Sequence, residues 1–227
     1  RDLHSFPPRR SSDLIDAYAS GVQMLTEMLY WDKETGKLVS PFYTSDPAAN
    51  PVTLRNVIVE SSDINQDRNI EIPLTSVLPG SSIIGSDESK STALYIVNWS
   101  HYENGKFRTV KRTYYNTNDM FSIVYPDEWK NQVAIQQHLT NRLTTFTYYA
   151  PGTKRNGLEL FSIKAFPVMS FHTDLLGDYE QFLSNKNFTY AYRITEEGRK
   201  FGITEDFITS EFNAVKTQSQ SSMNIKF

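Results

Sequence analysis

Cysteine is absent from this sequence, and so is any long hydrophobic run. The absence of cysteine excludes disulfide bonds, thiolate-bound zinc and a cysteine nucleophile. It leaves the cellular compartment open, since many bacterial surface proteins also lack cysteine. No hydrophobic stretch approaches the roughly 18 residues that a membrane-spanning helix needs. We therefore expect no membrane insertion of this part of the protein.

An excess of basic residues is missing as well. The 23 Lys and Arg side chains are outnumbered by 26 Asp and Glu side chains, which leaves a formal net charge of -3 at pH 7. Binding to nucleic acid or to anionic lipid is therefore not expected. What is present is a composition that is 39% hydrophobic and 13% aromatic over 227 residues. This is enough for a packed core in one large or two small domains.

The first fourteen residues differ from the rest of the chain. They resemble the translation of a short-read sequencing adaptor, with Pro8 as the one departure, and such a segment carries no fold information. The alternative is a disordered polar tail. The twin arginines Arg9 and Arg10 are not followed by a hydrophobic segment, so no export signal is indicated. Because an initiating methionine is also missing, we expect residues 1–14 to be artefactual or disordered, and the natural chain to continue upstream of residue 15.

Alternating hydrophobic and polar residues predict a mainly β fold. Residues 23–42 read as a hairpin around a turn at Gly36, although residues 24–31 are also compatible with an amphipathic helix. A second hairpin is predicted for residues 94–115, because an Asn-Gly pair at its centre readily supplies the two positive φ angles of a tight turn.

Three further segments complete the first part of the chain. Residues 15–19 predict a short strand, and residues 55–60 predict another because they are rich in β-branched side chains. Residues 78–90 are rich in serine and glycine, which predicts a mobile surface connection.

The pattern changes after residue 117. Residues 118–215 predict an α+β sandwich, in which an antiparallel sheet is covered by two helices. One helix is predicted to begin at Thr173 and the other at Thr204, since each threonine can cap the helix that follows it. Residues 216–227 read as a disordered tail. The predicted strands of this part are residues 121–125, 133–139, 143–149, 158–166 and 187–194.

An oxygen-bearing side chain stands at every second position of one short segment. Asp63, Asn65, Asp67, Asn69 and Glu71 follow this spacing. Alternate residues of a tight loop point inward, so such side chains can surround one hard cation, and the carbonyl oxygen of Asn69 offers a further ligand. The segment therefore predicts a calcium site.

The flanking sequence excludes an EF-hand, because Leu74 stands where that loop needs a bidentate glutamate and because the flanks predict strands. The segment instead resembles the D-x-[DN]-x-D-G-x-x-[DE] loop of FG-GAP or VCBS repeats. Those repeats are the blades of integrin-α-type β-propellers and bind calcium between two strands. Arg68 departs from the motif, which has glycine there. Arginine is strained in the backbone conformation that glycine adopts freely, and its charge opposes a cation. The alternative is an Asx-rich turn whose side chains cap their own backbone amides.

The resemblance to these repeats extends over residues 15–117 and includes the strand patterns that end at Trp31 and Tyr102. It implies partial β-propeller blades in a fragment of a larger bacterial surface protein or lipoprotein, stabilised by calcium. Residues 118–215 resemble, more loosely, the PsbP-like extrinsic subunits. These resemblances imply a non-enzymatic module that is extracellular or at the cell surface. We expect it to be monomeric and to bind a protein or a carbohydrate.

A hydrolytic enzyme with its site in the C-terminal α+β domain is the alternative function. Adjacent residues of a strand point to opposite faces, so Ser100 and His101 do not form a catalytic pair. The sequence contains no nucleophile-elbow, H-E-x-x-H or phosphate-binding glycine motif. We therefore expect no catalytic residues. Convergence of Glu128 with His138 or His172 in one deep pocket would favour the enzyme.

The frequent aromatic residues allow two interpretations. They can form a surface that stacks on carbohydrate or binds a protein, or they can pack across strands in a core. The side chains in question are Trp99, Tyr114, Tyr115, Trp129, Tyr148 and Tyr149.

Overall fold

Strands make up most of the regular structure, so the predicted mainly β fold class is confirmed in its coarse form. The computed structural model describes residues 12–21, 23–42, 49–87 and 91–215. The predicted tail at residues 216–227 lies outside the described residues.

Within these described ranges the chain forms thirteen strands and two α-helices. The strands are β1 (Ser12–Ser20), β2 (Gln23–Asp32), β3 (Lys37–Val39), β4 (Ile72–Ile84), β5 (Ser91–Glu103), β6 (Lys106–Asn116), β7 (Phe121–Val124), β8 (Val133–His138), β9 (Leu143–Tyr148), β10 (Glu159–Pro167), β11 (Glu180–Ser184), β12 (Phe188–Ile194) and β13 (Phe212–Ala214). The helices are α1 (Glu196–Phe201) and α2 (Glu205–Glu211), and three 3₁₀ turns span Asp127–Trp129, Val168–Ser170 and Thr173–Leu176.

The first three strands form an antiparallel sheet in the order β1-β2-β3. Leu14 pairs with Met28, and Tyr30 pairs with Val39, so these four side chains share one face of the sheet. Leu14 is one of three residues of the segment 1–14 that belong to β1. β2 is a strand along its whole length, so the alternative helix at residues 24–31 is wrong.

A larger sheet has the strand order β11-β12-β10-β9-β8-β4-β5-β6-β7-β13. Its described pairings are antiparallel except that of β4 with β8, which run parallel with Ser82 beside Gln136. The predicted hairpin at residues 94–115 is confirmed as β5 and β6, and both of its turn residues, Asn104 and Gly105, have positive φ.

The chain divides into two compact units, and the boundary passes through β4, β5 and β6. Unit 1 comprises residues 1–76 and 97–111, and unit 2 comprises residues 77–96 and 112–227, each as far as the structure describes them. Unit 1 contains the first three strands and the predicted calcium segment, whereas unit 2 contains both helices.

A core rich in aromatic rings holds unit 2 together. The rings of Phe146 and Phe161 stack with centroids 4.1 Å apart, and Trp129 packs against both at 6.0 and 5.8 Å. Buried aliphatic side chains surround these rings, among them Leu94, Ile96, Val133, Ile135, Leu160 and Ile163. Burying a side chain of this kind stabilises a fold by about 1.5–3 kcal/mol.

Local capping explains both helices of unit 2. α2 begins where the sequence predicts, because the Thr204 hydroxyl oxygen accepts a hydrogen bond from the Phe207 N–H at 3.1 Å. The sequence does not predict α1, which is too short to show a hydrophobic stripe. There the Thr195 hydroxyl oxygen accepts a hydrogen bond from the Gly198 N–H at 3.0 Å.

Two predictions for unit 2 are wrong. Residues 173–183 form no α-helix, because their 3₁₀ turn ends at Gly177, where φ is 58°, and β11 follows. Residues 78–90 are not a loop throughout, because β4 continues to Ile84 and buries Leu78 in the core. Gly80 belongs to this strand and has a φ of 72°. A Cβ at Gly80 would lie 2.3 Å from the Tyr149 ring, so glycine is required there.

Candidate metal centre

The predicted calcium segment forms a loop that two backbone hydrogen bonds close. The Ser62 N–H donates to the Glu71 carbonyl oxygen at 3.1 Å, and the Glu71 N–H donates to the Ser62 carbonyl oxygen at 3.0 Å. The loop leads into β4, as predicted for its C-terminal flank. The predicted strand at residues 55–60 on its other flank is wrong, because these residues form bends and irregular backbone around the buried Arg55.

Two residues of the loop have positive φ, Gln66 at 61° and Arg68 at 73°. At Arg68 this is the conformation for which the calcium-loop motif uses glycine, and it costs a residue with a Cβ about 1 kcal/mol. The expectation of backbone strain at this position is confirmed. The Arg68 N–H donates to the Asp63 carboxylate at 2.9 Å, a contact that helps to hold this conformation.

The side chains of the loop bind its own backbone amides. One Asp63 oxygen accepts a hydrogen bond from the Asp67 N–H at 3.0 Å, and the other accepts from Arg68. Asn65 Oδ1 also accepts from the Asp67 N–H, at 3.1 Å, and Asp67 Oδ1 accepts from the Asn69 N–H at 2.8 Å. These contacts are those of an Asx-rich turn. Each carboxylate oxygen has a second lone pair, so the same oxygens can also contact a cation.

The same contacts favour the ionised form of Asp67. The backbone amide of Asn69 and, next, the side-chain amide of Asn65 lower the pKa of the Asp67 carboxyl below its usual value. Asp67 is exposed, so solvent screens these interactions. Its carboxylate is anionic at neutral pH, which is the state that a metal ligand requires.

Glu71 ends the loop and is fully buried, whereas Asp63 is half-buried and the three other predicted ligands are exposed. Glu71 Oε2 accepts a hydrogen bond from the Ile64 N–H at 3.1 Å, so the carboxylate reaches back across the loop. Glu71 Oε1 has no hydrogen-bond partner among the described residues. A buried polar atom without a partner costs roughly 1–3 kcal/mol, and more where the group is charged. This oxygen therefore needs a donor or a cation.

The structure places the five predicted ligands in one loop without arranging their acidic groups as a complete cage. In the part of the chain that is described, no three Asp, Glu or His side chains lie together closely enough to hold a metal ion by themselves. An ion in this loop would also need the amide oxygen of Asn65 and the carbonyl oxygen of Asn69. All of these are oxygen ligands, which is the ligand type that calcium prefers.

Sequence reasoning misses a buried ion pair that precedes the loop. The Arg55 guanidinium binds the carboxylate of Asp16, on β1, at 2.8 Å, and the two side chains are 0% and 17% exposed. The other Asp16 oxygen accepts a hydrogen bond from the Ser61 N–H at 2.7 Å. Burial lowers the pKa of Arg55 below its usual value, while the hydrogen bond to Asp16 acts in the opposite direction. This ion pair attaches the segment before the loop to β1.

The other two guanidinium nitrogens of Arg55 also have partners. Its Nε donates to the Val59 carbonyl oxygen at 2.8 Å, and Nη1 donates to the Thr26 hydroxyl oxygen at 2.9 Å and to the Thr53 carbonyl oxygen at 3.2 Å. One signal in the sequence points to this arrangement. Asp16 interrupts a short hydrophobic strand pattern, and an acid that faces inward from a strand needs a partner.

The residues considered for an enzyme do not share one pocket. Glu128 is exposed and lines a groove of about 340 Å³ beside Trp129 and Phe207. His138 is half-buried and His172 is exposed, and neither is among the described residues that line this groove. The convergence that would favour a hydrolase is therefore not found at these positions.

Three of the six aromatic residues in question lie inside the protein. Trp99, Tyr114 and Trp129 are buried, which supports the packing interpretation for these three side chains. Tyr148 is half-buried, and the Arg155 guanidinium lies 4.0 Å from the centroid of its ring.

Comparisons of the chain with protein-family models, with curated proteins and with solved structures give no match. Neither of the helices in the described residues is long and apolar enough to cross a membrane.

Proposed function

We propose that this chain is a calcium-stabilised, non-enzymatic binding module from a larger bacterial surface or exported protein. The observation that carries the proposal is Glu71 Oε1, a buried carboxylate oxygen without a partner among the described residues. This oxygen lies at the end of a loop whose side chains are rich in oxygen ligands.

A cation suits this position better than a neutral donor does. The loop also carries Asp63 and Asp67, whose carboxylate oxygens keep a lone pair for a cation beside their hydrogen bonds to backbone amides. A divalent cation would contact Glu71 together with other oxygen ligands of the same loop. Calcium is the ion of choice because the available ligands are all oxygens, whereas zinc and copper prefer nitrogen and sulfur.

The roles of the ligands follow from their positions. Asp63, Asn65 and Asp67 would contribute side-chain oxygens, Asn69 its carbonyl oxygen, and Glu71 its buried carboxylate. Calcium would supply charge neutralisation and would fasten the loop to the start of β4. We expect a dissociation constant on the order of 0.1–1 mM, as in extracellular calcium modules, because the strain and the charge at position 68 oppose tight binding.

The finer features of the fold and the cellular setting belong to the same proposal. The antiparallel sheet of β1 to β3, followed by the loop, is compatible with blades similar to those of FG-GAP or VCBS repeats. The antiparallel strands and two short helices within residues 118–215 are compatible with a PsbP-like domain. We propose a monomer that acts outside the cell or at its surface and binds a protein or a carbohydrate.

Calorimetric titration of calcium into the full chain, freed of cations by a chelator, tests the proposal. We expect saturable heat from a single site. Glu71→Gln keeps the shape of the side chain but removes its charge, and should weaken calcium binding about tenfold or more. Glu34→Gln is the matched control. Glu34 is an exposed acid in the turn after β2, so this substitution removes the same charge outside the loop.

Asp63→Asn serves as a second loop variant, and circular dichroism establishes that each variant is folded. Either of two results would contradict the proposal. One is a folded wild-type protein that shows no calcium-dependent heat. The other is equal calcium affinity in the wild-type protein and in both loop variants.

A further inference from the structure

A cleft of about 1010 Å³ opens in unit 1 beside the predicted calcium loop. Its size is at the upper end for small-molecule sites, so it can receive a ligand of two or three sugar rings. We call it the loop cleft. It is lined by residues from β1, β2, the loop and the β5-β6 hairpin, among them Leu14, Met28, Tyr30, Arg68, Asn69 and Tyr102.

Two tyrosines from different strands supply aromatic surface to the loop cleft. Tyr30 lies on the same face of β2 as Met28. Tyr102, from the hairpin, packs its ring against Phe42 and Phe107 with centroid distances of 4.9 Å in both pairs. These ring contacts hold Tyr102 in place. The faces of such rings can stack on the apolar face of a sugar, while their hydroxyl groups remain available for hydrogen bonds.

Polar groups complete the lining. Asn69 and Asn104 carry side-chain amides, His101 carries a ring nitrogen, and Glu103 carries a carboxylate. Arg68 is the only arginine or lysine among the described residues of the lining. Its guanidinium forms no ion pair with an acid in the described part of the chain, so it is available for an anionic group of a ligand.

The backbone conformation of Arg68 is a second reason to assign this cation a role in the loop cleft. Its φ of 73° is a strained conformation for arginine, and glycine would remove the strain. Strained residues that persist in a fold tend to lie at functional sites. The hydrogen bond from the Arg68 N–H to Asp63 holds the residue in this conformation at the edge of the loop cleft. Arginine here is thus unfavourable for the loop itself but useful for the neighbouring cleft.

We propose that the loop cleft binds an acidic saccharide, with the sugar carboxylate on Arg68 and sugar rings against Tyr30 and Tyr102. The inference rests on the proposed calcium site in one respect, since an ion in the loop would fix the position of Arg68. A saccharide is favoured over an acidic peptide because of Glu103. Its carboxylate can accept hydrogen bonds from sugar hydroxyls, whereas it would repel the closely spaced carboxylates of an acidic peptide.

Saturation-transfer NMR with the full chain in calcium buffer tests this inference. The probe is sialyllactose, which carries one carboxylate, and lactose is its uncharged counterpart. We expect saturation transfer to sialyllactose and binding of lactose that is about tenfold weaker or undetectable, because a charge-assisted hydrogen bond to Arg68 is lost. A short glutamate-rich peptide is the third probe and should not bind.

Arg68→Gly is the decisive variant, because it removes the cation and relieves the backbone strain at the same time. It should weaken sialyllactose binding about tenfold or more, while calcium affinity stays equal or rises. Arg68→Lys should restore part of the binding. Lys33→Ala removes one positive charge from the exposed turn after β2 and should change neither property.

The outcomes separate this inference from the proposed function. Unchanged sialyllactose binding in Arg68→Gly, equal binding of lactose, or binding of the acidic peptide in place of the saccharide would overturn the inference. None of these results affects the calcium titration. Saccharide binding that depends on Arg68 but persists without calcium would support the cleft, while the calcium titration decides the calcium site independently.

Discussion

Both compact units bury hydrophobic side chains, but they differ in the charged side chains that they bury. In unit 2 the largest buried side chains are mostly aromatic, and Phe146 and Phe161 stack at 4.1 Å in the centre of a continuous core. In unit 1 a fully buried arginine, Arg55, is among the largest buried side chains, and a fully buried acid, Glu71, closes the loop. Unit 2 therefore depends mainly on packing, whereas unit 1 depends to a much larger extent on charges that must find partners.

This difference determines how each unit should respond to change. Hydrophobic burial is non-directional and scales with the area removed from water, so unit 2 should be sensitive to lost volume. A buried charge is stable only while its partner remains in place, so unit 1 should be sensitive to single charge deletions and to the presence of a cation. Three predictions test the contrast.

The largest effect is expected from Phe146→Ala in unit 2. The ring is fully buried against Phe161 and Trp129, so its removal should leave a cavity and lower the free energy of unfolding by about 4 kcal/mol. Hydrogen–deuterium exchange resolved by peptide should show the main loss of protection in β8, β9 and β10. The control is Leu183→Ala, because this leucine of unit 2 is exposed and should have little effect. An equal decrease in the free energy of unfolding in Phe146→Ala and Leu183→Ala would contradict the view that packing stabilises this core.

A somewhat smaller effect is expected from Asp16→Ala in unit 1. The substitution leaves the Arg55 guanidinium buried without its counter-charge, which should lower the free energy of unfolding by about 3 kcal/mol. Exchange should rise in β1, in β2 and in residues 53–61. Arg55→Met should lower the free energy of unfolding by less than Asp16→Ala does, because the Asp16 carboxylate that remains is partly exposed.

Asp13→Asn is the matched control on the same strand, since this acid is exposed. The contrast between the units would be lost if Asp13→Asn and Asp16→Ala had the same effect on stability.

The smallest effect concerns the opposite pH responses of one acid in each unit. Burial raises the pKa of Asp119 in unit 2, although Arg142 at 2.8 Å and Asn116 act against the shift. In unit 1, the backbone amide of Asn69 lowers the pKa of Asp67. Carboxyl-detected NMR titration should therefore give a midpoint above the usual value of about 3.9 for Asp119 and below it for Asp67.

The two shifts have opposite consequences for stability. Because the native state holds the proton of Asp119 more tightly than the unfolded chain does, its contribution to stability is present in acid and is lost as the pH rises through its raised pKa. The contribution of Asp67 to stability is present at pH values above the usual pKa of an aspartate, and it is lost as the pH falls through the lowered pKa of Asp67. A titration midpoint of Asp119 below that of Asp67 would mean that Arg142 and Asn116 lower the pKa of Asp119 by more than burial raises it.

Local sequence was sufficient wherever neighbouring residues decide the structure. Alternation over residues 133–139 predicts β8, and the Asn-Gly pair predicts the β5-β6 hairpin, because these signals depend on residues a few positions apart. Thr204 predicts the start of α2 for the same reason. The glycine of the calcium-loop motif likewise predicts the unusual backbone at Arg68.

Local sequence did not predict the secondary structure where pairing with a distant segment determines it. Residues 78–84 have a loop-like composition, yet they pair with β8 and bury Leu78, which overrides the low strand propensity of serine and glycine. Residues 173–183 have helical spacing but contribute β11 to the edge of the sheet, where pairing with β12 satisfies their backbone.

The candidate site divides in the same way. The sequence alone determined which five residues can offer oxygen ligands and that they share one loop, because their spacing places them there. The tertiary structure decided that Glu71 is buried with an unpaired oxygen, and that Arg55 pairs with Asp16 from 39 positions away. It also placed Arg68 beside a cleft lined by residues of β2 and of the β5-β6 hairpin. Burial and charge pairing depend on which distant segments pack together, and no short stretch of sequence contains that information.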